Sequence, residues 1–68
     1  MNQILTKFSF VQTNVQNEYK RNNYKAVTYK DSVTIVKYSP NHNRLLFSVT
    51  CNSETDLINC LTNSFGKY

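Results

Sequence analysis

The sequence predicts a small two-layer α+β domain, an antiparallel meander of three or four strands with one C-terminal helix packed on one face. Three observations predict it. A capped, helix-spaced apolar stripe closes the chain, a cleanly alternating segment precedes it, and a turn rich in Pro and Asn joins that segment to another extended run.

Taken in chain order, Ile4 to Val11 is extended in character, with Phe8 and Phe10 on one face and Leu5 and Val11 on the other. It reads as a first strand. Residues 12–23 are the most polar stretch and read as an exposed loop or as a short helix over Val15 to Arg21. Tyr24 to Lys30 is the next strand, followed by a tight turn around Asp31 and Ser32. Val33 to Tyr38 is β-branched, and Val33 and Ile35 compete with Val36 for its core face; a bulge would let both sides be used in part.

Ser39-Pro40-Asn41-His42-Asn43 turns the chain into Arg44 to Cys51. There Leu45, Phe47, Val49 and Cys51 alternate with Arg44, Leu46, Ser48 and Thr50, and the first set is the expected core face. Ser53 then caps a helix over 54–65, with Glu54 and Asp56 in the first turn, where the helix dipole favours negative charge. Leu57, Ile58, Leu61 and Phe65 fall on one side, Gly66 supplies the stop, and Lys67 suits the C-terminal end. The expected core is Phe8 or Phe10, Val27, Ile35, Leu45, Phe47, Val49, Leu57, Leu61 and Phe65.

A chain of 68 residues has room for one domain, 1–68. So short a chain must commit nearly all its large apolar side chains to the core, which leaves little volume for a catalytic cavity. The N-terminus lacks the basic and apolar regions of a secretory leader, and no apolar run approaches the ~18 residues of a membrane span. The expected location is the cytoplasm, without membrane association. Cys51 and Cys60 form no CxxC pair, and two reduced, buried thiols are expected in preference to a disulfide.

The chemistry of a reactive site is missing from the pattern. His42 is the only histidine and has no partner at ligand spacing, so no metal site is expected. Cys51 lies about 23 Å along its strand from the loop holding His42, too far for a Cys–His pair. Glu54 and Asp56 do not share a helix face. One glycine excludes a glycine-rich phosphate loop. No catalytic residue and no cofactor is expected, and the chain reads as non-enzymatic.

Binding remains. Lys and Arg exceed Asp and Glu by eight to four, a net charge of +4. Tyr19-Lys20-Arg21, Tyr24-Lys25, Tyr29-Lys30 and Lys37-Tyr38 each set a cation beside a ring. With Arg44 and Leu46 across the loop, the candidate binding surface is Lys20, Arg21, Tyr24, Lys30, Tyr38, Arg44 and Leu46 on an uncovered sheet face. The leading expectation is a protein partner, since Tyr and Arg anchor interfaces and solvent cover alone does not call for Tyr24, Tyr38 and Leu46. A small adaptor or inhibitor fits this economy of size, which is that of compact proteins of mobile elements or viruses. The alternative is nucleic acid, single-stranded or non-specific, with bases stacked on the same rings and phosphates on the same cations. Open sheet edges further lead us to expect a weak homodimer.

Overall fold

The computed structural model describes residues 2–41 and 44–66, so His42 and Lys67 lie outside the described residues. Its elements are α1 (Asn2–Lys7), β1 (Val11–Gln12), β2 (Glu18–Arg21), β3 (Tyr24–Thr28), β4 (Val33–Tyr38), β5 (Leu45–Cys51) and α2 (Glu54–Phe65). The strands form one antiparallel meander in the order β1-β2-β3-β4-β5, and α2 packs on a face of it. The α+β meander with a C-terminal helix is therefore as expected, with five strands where three or four were anticipated.

The N-terminal segment is a correction. Ile4, Leu5 and Phe8 are spaced to share one side of a helix, and that spacing prevails over the alternation of Phe8 and Phe10. The helix is closed by a Schellman motif. Ser9 takes a left-handed conformation at φ 68, its N–H donates to the Thr6 carbonyl at 3.0 Å, and the Phe10 N–H donates to Leu5 at 3.0 Å. Leu5 and Phe10, the two ends of that motif, both enter the core.

Residues 12–23 are neither an open loop nor a helix. They hold the end of β1 and all of β2, paired through Val11 with Lys20 and Gln12 with Tyr19. Asparagines make the turns that glycines would otherwise make. Asn17 and Asn22 sit at φ 65 and 53, a region their short polar side chains tolerate. The Asn17 carbonyl accepts the Thr28 N–H at 2.8 Å, and Asn23 exchanges hydrogen bonds with the Tyr38 backbone through its side chain and its carbonyl.

The register fixes two sheet faces. Tyr19 faces Ala26 and Arg21 faces Tyr24; Tyr24 faces Lys37, Ala26 faces Ile35, and Ile35 faces Val49. These residues, with Val33, Phe47 and Cys51, lie on the face that α1 and α2 cover. The competition in β4 is thus resolved for Val33 and Ile35, both buried, and against Val36. The core joins Leu5, Phe8, Phe10, Tyr19, Ala26, Val33, Ile35 and Cys51 to Leu57 and Leu61 of α2, with Phe65 partly buried against it.

Three expected core positions are corrected, and a fourth shifts. Phe47 and Val49 face the helix side, yet both are exposed, because β5 is the sheet edge and α2 does not reach over its outer margin. Leu45 is exposed because the register slips at Lys37/Tyr38 and sets it opposite Tyr38. Val27 lies half-buried on the open face, opposite Thr34. At the other end of β5, Ser53 caps α2 as expected, its hydroxyl accepting the Asp56 N–H at 3.1 Å.

Candidate functional site

Strand alternation decides which of the candidate side chains can act together, since neighbours in a strand point to opposite faces. Lys20 and Tyr38 lie on the open face, where Lys20 stands directly opposite Lys25. Leu46 is exposed at the register slip in β5, and Arg44 is exposed just before it, its carbonyl accepting the Ser39 N–H at 2.6 Å. Lys30 lies in the β3–β4 turn, at the end of the sheet away from Tyr38.

Arg21 and Tyr24 are turned to the helix side. The Arg21 guanidinium donates to the Phe8 carbonyl at 2.8 Å and lies 4.0 Å from the Phe65 ring centroid. Tyr24 packs edge-on against Phe65, with centroids 4.6 Å apart, and against Phe47 at 6.1 Å. A single platform holding Tyr24, Tyr38 and Lys30 is therefore not formed.

What the open face does assemble is a shallow groove whose walls include Glu18, Lys20, Asn23, Lys25, Tyr38 and Pro40. Lys25 reaches over the Tyr38 ring, 5.5 Å from its centroid, and pairs with Glu18 at 3.4 Å. The Thr13 hydroxyl donates to the other Glu18 oxygen at 2.7 Å. That hydrogen bond, helped by the Lys25 and Lys20 charges, holds the Glu18 carboxyl below its ordinary pKa. Glu18 was not among the residues singled out from the sequence. Its signal was the two-residue offset from Lys20 in a segment not recognised as a strand. Two lysines directly opposite one another repel, and one carboxylate beside them balances one charge. The groove therefore presents a ring, a flanking carboxylate and a local excess of positive charge.

Both cysteines are free thiols, and burial, reinforced by the neighbouring Cys60, pushes the Cys51 thiol up to about 11. A thiol held protonated is a poor nucleophile. Among the described residues, no three His, Cys, Asp or Glu side chains gather as a metal site would require. No helix among them is long and apolar enough to cross a membrane. No protein-family model matches the chain, and no curated protein or solved structure proved similar to it.

Proposed function

We propose that the chain is a non-enzymatic protein-binding module of the cytoplasm, a small adaptor or inhibitor, whose open sheet face receives an acidic, partly apolar surface of another protein. The observation that carries this reading is the Lys20–Lys25 pair beside Tyr38, with Val27 and Val36 half-buried on the same face. A partner carboxylate between the two lysines would relieve their mutual repulsion, while the ring and valines supply apolar contact. Nucleic acid is the second reading, favoured by the Tyr38 ring with a lysine over it. Against it stand the ionised Glu18 in the same groove and the dispersal of the cations. Arg21 and Lys37 serve the helix side, and Lys30 lies at the far end.

The test compares Tyr38→Ala and Lys20→Glu with the parent chain in capture from a lysate, with and without nuclease. A nuclease-resistant protein retained by the parent and lost with both variants supports the reading. Capture abolished by nuclease would overturn it. So would tight oligonucleotide binding near roughly 0.15 M salt with a log–log salt slope of about −2 to −4.

A further inference from the structure

We infer that β5 is a self-association edge, pairing antiparallel with β5 of a second copy about a two-fold axis at Ser48, independently of what the open face binds. The two edges of the sheet are unlike. β1 has only two residues, a length that blunts an edge, whereas β5 is the longest strand with seven and is bonded to β4 alone. Edge strands are ordinarily protected by charge, proline or a central bulge. The segment Leu45–Cys51 carries no charged residue and no proline, and its register slip falls at its start, leaving Phe47 to Cys51 regular. It also holds most of the large apolar side chains left uncovered: Leu45 is 54%, Leu46 53%, Phe47 39% and Val49 40% exposed.

The occupant follows from register and charge. Only an axis normal to the sheet makes two copies of one edge antiparallel, and it keeps both helix layers on the same side. Residues that meet must then share a face, so the axis passes through a residue position. Ser48 is the midpoint of β5, and centring there overlaps the two strands most fully, with the slip at Leu45 and Leu46 falling at the ends. Phe47 then lies opposite Val49 of the second copy, twice over. These are the two residues that α2 leaves uncovered, and an aromatic against a β-branched side chain is a favourable cross-strand pair. Ser48 meets itself on the open face.

Two copies each carrying +4 repel, and a charge-free seam minimises that repulsion. Just beyond the seam the signs are opposite. Arg44, just before β5 of one copy, comes to the end of the other copy's strand where Glu54 opens α2, and both charged residues are exposed. The result is a continuous sheet of two copies of the five strands, with the open faces side by side.

The axis makes a specific demand on Ser48, an exposed residue whose replacement leaves the core untouched. Sedimentation equilibrium of the unaltered chain at two concentrations about a hundredfold apart should show the mass rising from monomer to dimer. Ser48→Lys and Ser48→Glu, each alone, set like charges face to face and should remain monomeric at both concentrations. Mixed together they should recover the dimer, because lysine then meets glutamate. A parent chain that stays monomeric at the higher concentration would overturn the inference, whether or not the variants fold. Folded variants that dimerise like the parent would place the interface elsewhere, and a mixture that stays monomeric would refute the Ser48 axis.

Discussion

Replacing Phe65 by leucine isolates the contact that seats the C-terminal end of α2. The ring meets Tyr24 at 4.6 Å and 63° and Phe10 at 5.7 Å and 82°, both edge-on, and the Arg21 guanidinium lies 4.0 Å from its centroid. Leucine keeps most of the apolar volume and loses all three interactions. Each edge-to-face pair contributes about 0.5–1.5 kcal/mol beyond area, and a partly exposed cation–π contact about 0.5–1 kcal/mol. Partial relaxation brings the expected cost to about 2 kcal/mol, which at a urea slope near 1 kcal/mol per molar lowers the midpoint by about 2 M. A double-mutant cycle with Arg21→Ala separates the cation from the ring contacts, and the expected coupling is about 0.5–1 kcal/mol. Additivity within about 0.3 kcal/mol would refute the argument. Arg21 would then not be held by Phe65, and its place on the helix side would rest on its pairing with Tyr24 and its hydrogen bond to the Phe8 carbonyl.

Two further outcomes follow from the backbone and from a buried thiol. Ser9 carries a side chain at φ 68 in a position that glycine occupies at little steric cost, so Ser9→Gly should raise stability by about 0.5–1 kcal/mol in thermal or urea unfolding; a loss would show that the Schellman geometry is wrong. The Cys51 thiol holds its proton more tightly in the folded chain, at about 11 against an ordinary 9.0, so its contribution is complete below pH 9 and is lost as the pH rises towards 11. The stability gap between the parent chain and Cys51→Ala should therefore narrow between pH 8 and pH 11, and a constant gap in urea midpoints would contradict the assignment.

The elements legible in the sequence are those whose signals are local and long. α2 announces itself through the Ser53 cap and a stripe that recurs over twelve residues, and Leu57 and Leu61 are fully buried as that stripe requires. α1 has only six residues, too few for a periodicity to assert itself against the alternating Phe8 and Phe10, and its stop is a serine where a glycine would have been read. β2, with the sequence Glu-Tyr-Lys-Arg, has one buried side chain, Tyr19, and its identity as a strand rests on pairing with β1 and β3. Alternation assigned Phe47, Val49 and Cys51 to the correct face of β5. It could not tell that only Cys51 would be buried, because burial there depends on where the edge of the sheet falls and how far α2 extends over it.

Strand geometry explains why the seven candidate residues do not share one face. A ring and a cation adjacent in sequence look like one recognition unit, but in a strand adjacent residues project to opposite faces, so Tyr24-Lys25 and Lys37-Tyr38 cannot each act as one. The pairing between strands exchanges their partners. Lys25 lies over Tyr38 on the open face, at 5.5 Å, and Lys37 lies over Tyr24 on the helix side, at 5.3 Å. The same four residues therefore build two unlike sites. One stands in solvent beside Lys20 and Glu18, where its ring and charges are available to a partner. The other joins Phe47 and Phe65, where the lysine caps an aromatic cluster and its charge contributes to holding the helix layer. Net charge and sequence adjacency count both sites alike; register separates them, and it is the register that reduces a band of seven candidate residues to the few that share one exposed face.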